Sequence, residues 1–260
     1  LRHEHFVLAF SGVAMIRAVI VLVGVLVFTL IFGTMAILAA VFRMKDGPNS
    51  WYAKAPRYWG RSLLWISGVK VVEHDAERKR GEQHVFAVNH VANYDVLAVA
   101  AKLRWIKFVA KAELFKIPGF GKAMLSAGMI PIERANRKAA FGSYSLATKR
   151  IQAGASVAVY PEGTRGNAYP LRAFKKGPFV LAIQAQAPVI PVLVFGQQEV
   201  QPVGKFRVRP GTIHMHYLPP IETTGMNYED RDQLARLTYE SMAACLEREY
   251  GIVSPPFRGA

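Results

Sequence analysis

Cysteine occurs once in this 260-residue chain, at Cys245. That excludes an intrachain disulfide and fits a reducing compartment. Acidic side chains are also scarce, with 18 Asp and Glu against 33 Lys and Arg and a formal charge of +15. Such an imbalance demands an anionic partner. Two catalytic signatures are missing. There is no G-x-S-x-G elbow and no G-x-x-x-x-G-K-[ST] phosphate loop, which argues against a serine hydrolase or a nucleoside triphosphatase of those types. No internal repeat or low-complexity linker interrupts the chain.

Charge is absent altogether from Ala18 to Phe42, 25 consecutive residues. As a helix they reach roughly 38 Å, against a hydrocarbon core of about 30 Å. The run is too long for a signal peptide, and no small-residue cleavage pattern follows it. Residues 1–45 are therefore expected to be a membrane anchor, as one tilted spanning helix or as two shorter helices in one leaflet, which Gly24, Thr29 and Gly33 permit. Arg43 and Lys45 follow directly, which places the remaining chain on the cytoplasmic side. Within residues 46–67, Trp51, Tyr52, Ala55, Tyr58, Trp59, Leu63 and Ile66 recur at helical spacing. Lys54, Arg57 and Arg61 gather on another face, an interfacial signature, and Pro56 is expected to limit or kink the helix.

The body, residues 68–250, is long enough for one core. Strand-like runs at Val69–Val72, Val85–Val88, Phe108–Ala110, Met129–Ile132, Ser156–Val159 and Val189–Phe195 alternate with helical patterns at Val96–Leu103, Phe115–Ser126, Arg137–Ala153 and Phe174–Gln184. This predicts an α/β sandwich around a mostly parallel sheet. Phe206–Tyr217 adds strand-like segments with a turn at Pro210-Gly211, Asp230–Tyr250 reads as a closing helix, and the tail, residues 251–260, is expected to be loose.

Function concentrates in VNHVANYD. His90 sits where a buried strand runs into a helix, and its imidazole can take a proton from a hydroxyl. Asp95, five positions on, can hold the second ring nitrogen or simply cap the helix start. Three further segments end apolar runs in polar or conformationally special residues: GMIPIER at 128–134, YPEGTRG at 160–166 and APVIPV at 187–192. That is where an α/β fold assembles a site. Arg165 offers a bidentate fork for a phosphate, and Gly163 permits close backbone approach. Lys175 and Lys176 can extend the positive wall, and Glu162 can pair with an arginine or bind hydroxyls.

In this order and spacing the four segments resemble the sequence blocks of the glycerolipid acyltransferase family, over about residues 68–220, and are similar to its bacterial 1-acyl-glycerol-3-phosphate (lysophosphatidic acid) branch. The resemblance implies His90 as general base and Asp95 as its orienter, with Lys111, Arg134, Glu162, Gly163, Thr164 and Arg165 binding the acceptor. Glu133 stands where many relatives have aspartate. The implied reaction moves an acyl group from acyl-CoA or acyl-carrier protein to the free hydroxyl of lysophosphatidic acid, giving phosphatidic acid. It proceeds without a covalent enzyme intermediate, a cofactor or a metal. Glycerol 3-phosphate or another lyso-lipid as acceptor, and a non-catalytic lipid-binding scaffold, are the alternatives.

The remaining features read plainly. An anionic bilayer and an anionic lipid substrate explain the dispersed basic residues better than nucleic acid does. His214 and His216 share a strand face without a nearby carboxylate, a weak metal case, while His74 and His84 are expected to be solvated. Pro188 and Pro191 are expected to stiffen a strand beside an acyl groove.

Overall fold

The computed structural model describes residues 2–81, 83–133, 137–202 and 208–259, with the side chains of residues 2–15 and 137–141 left undescribed. Arg134 therefore lies outside the described residues. So does Phe206, where the last strand-like stretch was expected to begin.

Seven strands, β1 (Val69–His74), β2 (Val85–Val88), β3 (Ile106–Lys111), β4 (Ile130–Ile132), β5 (Ser156–Val159), β6 (Val189–Phe195) and β7 (Gly211–Tyr217), form one sheet in the order β1-β7-β6-β2-β5-β3-β4. Every neighbouring pair is parallel except β6 with β7. Phe86 and Val88 pack with one core cluster and Val85 and Ala87 with the other. The central strands β2, β5 and β6 are buried on both faces, so they read as nearly continuous apolar runs.

Helices cover both faces. α1 (Arg2–Val41), α2 (Trp51–Ile66) and α3 (Asn93–Lys102) lie over one face with α4 (Phe120–Ser126); α5 (Arg137–Gln152), α6 (Gly177–Ala185) and α8 (Arg231–Tyr250) lie over the other, and the short α7 (Gln197–Val200) follows β6. The helix expected over Phe115–Ser126 is broken in two. A 3-10 turn at Ala112–Lys116 precedes α4, separated by Pro118 and by Gly119 at φ 73°. Proline has no N–H to continue the first turn, and the left-handed glycine redirects the chain.

α1 is one continuous helix, and its segment Ile16–Val41 is long and apolar enough to cross a membrane. Leu26, Leu30 and Phe42 stand 65%, 72% and 73% exposed, an apolar surface of the kind that marks contact with a membrane or another protein. The other side of α1 packs on α2 and α4. Trp59 Nε1 donates to Thr29 Oγ1 at 3.0 Å, and Phe32 stacks on Tyr58.

α2 starts at Ser50, whose Oγ accepts from the Ala53 N–H, and Pro56 does not end it. Gly60 lets α2 close on α3: a Cβ there would lie 2.8 Å from the Leu97 carbonyl oxygen. The spacing in α2 predicts an aromatic face apart from a cationic one. Instead Trp51, Lys54, Tyr58, Arg61 and Trp65 form one exposed stripe, because positions three and four apart share a helix face, while Tyr52, Ala55 and Leu63 face inward.

Two further expectations are corrected. The C-terminal tail is pinned: Leu171 N–H donates to Ser254 Oγ, Tyr239 Oη donates to the Pro255 carbonyl at 2.7 Å, and Phe257 packs into the core beside Tyr239. His74 is not simply solvated, since its ring stacks on His216 at 4.1 Å and bonds His214 at 3.0 Å across β1 and β7. Among the described residues no group of three His, Cys, Asp or Glu is arranged to hold a metal ion.

The link between α1 and α2 is locked to the sheet by charge. Lys107 on β3 is fully buried, with its Nζ 2.8 Å from Asp46 and 2.9 Å from the Ala127 carbonyl. Asp46 also accepts from Trp105 Nε1 and Ser50 Oγ. Burial lowers the Lys107 pKa, and Asp46 opposes that shift. Asp46→Ala should cost about 3–5 kcal/mol because it strands a buried cation. Lys107→Met should cost less, since the partly exposed Asp46 can rehydrate. Urea unfolding of the purified chain checks the order; equal costs would sink it.

Candidate active site

His90 lies just past the C-terminal end of β2, and α3 begins three residues later. This is the end of a parallel sheet where loops gather functional groups. Asn89 fixes the approach. Its buried amide accepts from Val194 N–H at 2.7 Å and donates to the Val194 carbonyl at 3.0 Å, pairing side chain with strand where the β2–β6 ladder stops.

Asp95, in the first turn of α3, is fully buried. Its Oδ2 accepts from His90 Nδ1 at 3.0 Å, from Val91 N–H at 2.7 Å and from Ala92 N–H at 3.0 Å. Orienter and cap are thus one oxygen doing both jobs. Burial raises the Asp95 pKa, and the His90 ring and the two amides oppose the shift. With Nδ1 held by the carboxylate, Nε2 is the nitrogen left to face a reactant. The imidazole lies over the Tyr160 ring at 4.3 Å, which fixes its second face.

The YPEGTRG turn closes over this dyad. Gly163 holds φ 74°, a left-handed turn that disfavours a side chain, and the Gly166 N–H donates to the His90 carbonyl at 2.8 Å. Glu162 does not face the chamber. Its Oε1 accepts the His90 N–H at 2.7 Å and its Oε2 the Arg172 N–H at 3.3 Å. Burial raises its pKa from the ordinary 4.5 to about 7, the two amides pulling back and the Asp95 charge adding to the rise.

His90, Thr164, Arg165 and Lys111 share the polar end of a chamber of about 540 Å³. Arg165 is steered by Asn93, its Nη1 donating to Asn93 Oδ1 at 2.8 Å. Lys111 is largely exposed, 3.4 Å from Glu113. The rest of the chamber is apolar: Val96 and Ala100 of α3, Phe108 of β3 and Met124 of α4 wall it, and Phe32 and Gly33 of α1 roof it.

Not every expected residue joins. Lys176 turns away to Asp232 at 3.0 Å, and Lys175 packs by Gly163 outside the chamber. Pro191 lies within β6 and Pro188 just before it, and neither lines the apolar chamber, because β6 is a central strand of the sheet. Asn89, Asn93 and Tyr160 were missed. Their signal was position: two asparagines flanking His90, and an aromatic ending the strand before the turn.

A family model described as Acyltransferase matches residues 69–194. A 1-acyl-sn-glycerol-3-phosphate acyltransferase of Limnanthes douglasii is 30% identical over 187 residues, 70% of this chain and 65% of that protein. The chain thus spans just under two thirds of that plant relative. The human 1-acyl-sn-glycerol-3-phosphate acyltransferase alpha is 30% identical over 212 residues, covering 80% of this chain and 75% of that protein. Among solved structures, the 1-acyl-sn-glycerophosphate acyltransferase of Thermotoga maritima superposes with TM-score 0.75 at 21% identity, over 90% of this chain and 97% of that one, a likeness of fold.

Between about pH 4.5 and 7 the folded chain keeps a proton on Glu162 that the unfolded chain has released. Its contribution to stability therefore falls as pH rises through that window. Glu162→Gln should flatten this fall, measured as the melting temperature from pH 4.5 to 7.5; an undiminished slope in the variant would count against it.

Proposed function

The chain belongs to the acyltransferase family that includes the 1-acyl-sn-glycerol-3-phosphate acyltransferases, and from that premise we propose that it transfers a fatty acyl group to the sn-2 hydroxyl of 1-acyl-glycerol 3-phosphate, forming phosphatidic acid. The donor in this proposal is acyl-CoA or acyl-carrier protein. One observation carries the reading: an oriented His90–Asp95 dyad opens on a chamber that is cationic at one end and apolar at the other.

The acceptor hydroxyl sits against His90 Nε2, which takes its proton as the oxygen attacks the thioester carbonyl carbon. The resulting imidazolium is stabilised by Asp95, in the manner of a hydrolase triad without its nucleophile. Collapse of the tetrahedral intermediate breaks the C–S bond, and the imidazolium returns the proton to the leaving thiolate. A thioester is already activated, so this chemistry calls on no resident cofactor or metal. Arg165 and Lys111 meet the acceptor phosphate, with Thr164 and the Gly163 turn completing the cradle. Arg134, which ends the second sequence block, is assigned to the same phosphate by the family resemblance alone. Glu162 acts through the His90 backbone as a positioning residue. The apolar part of the chamber takes acyl chain.

For localisation, α1 is placed in a membrane and the body on its cytoplasmic face. The apolar outer surface of α1 and the Arg43 and Lys45 flank support that reading.

The test offers acyl-CoA and acyl-carrier protein to the detergent-purified chain, with lysophosphatidic acid, glycerol 3-phosphate and other lyso-lipids as acceptors. Phosphatidic acid should form, and His90→Ala should lower turnover by about 10²–10⁴-fold with an unchanged melting temperature. Undiminished transfer by that variant would remove His90 from the chemistry. Arg165→Ala should raise the acceptor KM by about tenfold or more, with a smaller effect on kcat; a pure kcat effect would contradict phosphate binding.

A further inference from the structure

A second cavity of about 500 Å³ lies near the N-terminal ends of β2, β3 and β5, the opposite end of the sheet from His90. Five cations line it: Arg57, Lys79, Arg80, Lys102 and Arg104. Lys79 and Lys102 both pair with Glu73. Among the described residues no carboxylate forms an ion pair with Arg57, Arg80 or Arg104, and Arg104 donates to a neutral partner, Asn49 Oδ1, at 2.6 Å. The Arg57 Nε is buried without a hydrogen-bond partner. Folding normally disperses like charges or pairs them, and a buried donor left open is costly. A concave cluster of forked cations with an unmet donor is complementary to phosphate oxygens.

We propose that this cavity is a second, non-catalytic site that takes the phosphate headgroup of an anionic membrane lipid. Its placement favours a lipid over a soluble phosphate. Arg57 projects from α2 beside the exposed stripe Trp51, Lys54, Tyr58, Arg61 and Trp65, a mixture of aromatics and cations suited to headgroup depth. Arg104 is tied to Asn49, in the link that leaves the apolar helix α1. Basic pockets beside membrane helices recognise headgroups by these same forces. Burial lowers the Arg57 pKa, as do the Arg61 and Arg104 charges, with Tyr58 and Glu73 opposing them; a bound phosphate adds to that relief.

The test uses the full chain purified in a neutral detergent, with bound lipid counted by native mass spectrometry. Wild type should hold phosphatidylglycerol about tenfold more tightly than phosphatidylcholine. Arg57→Gln/Arg104→Gln should lose that preference, as should Arg80→Gln/Arg104→Gln, which leaves Arg57 in place in case its loss impairs folding. Arg236→Gln/Arg248→Gln removes the same charge from exposed positions of α8 and should keep the preference. An unchanged preference in both cavity variants, or an equal loss in the α8 control, overturns the proposal. So does saturable binding of inorganic pyrophosphate or adenosine 3′,5′-bisphosphate that the cavity variants lose while their lipid preference stays. The readout is binding without turnover, so it is independent of the proposed acyl transfer.

Discussion

One carboxylate oxygen organises the end of the sheet that carries the candidate active site. Oδ2 of Asp95 takes three N–H donors, two from the backbone entering α3 and one from the His90 ring. The amide donors are Val91 and the N-cap residue Ala92, at the N-terminal end of α3 where negative charge is favoured. The same bonds that start α3 therefore select the tautomer of His90, and neither role can be changed without the other. Glu162 extends the arrangement by holding the His90 amide from the opposite side, so the residue is fixed through its ring and through its backbone.

The second organising fact is the division of labour between α1 and α2. α1 turns an apolar surface outward, yet its inner side is part of the body's core, with Val21 and Ala36 buried among the residues of α2, α3 and the strands. The buried Lys107–Asp46 pair and the Trp105–Asp46 bond hold the link between the helices against β3. An ion pair in such a place contributes little net stability, but it fixes register because mispairing leaves a charge stranded.

Much of this was legible in the chain because the central strands are covered on both faces. Val85–Val88, Val157–Val159 and Val189–Phe195 must be apolar throughout, so each strand appears as an unbroken run. The dyad was legible for a different reason: its two members lie five positions apart in one turn. The contacts that complete the site are remote. Glu162 meets the His90 amide and Arg165 meets Asn93 across 72 positions each, and no periodicity reports such pairings. α2 failed in detail because amphipathic spacing locates a stripe without saying whether aromatic and cationic residues share it. The groove assigned to Pro188 and Pro191 failed because the apolar chamber is assembled from α1, α3 and α4, elements that only tertiary packing brings together.

Phe32 and Gly33 roof the chamber from a helix whose other side is suited to lipid. On the proposed reading, anchor and catalyst cannot be separated into modules. Cutting α1 away to make a soluble body would strip Phe32 and Gly33 from the chamber wall and uncover the faces of α2 and α4 that α1 packs on.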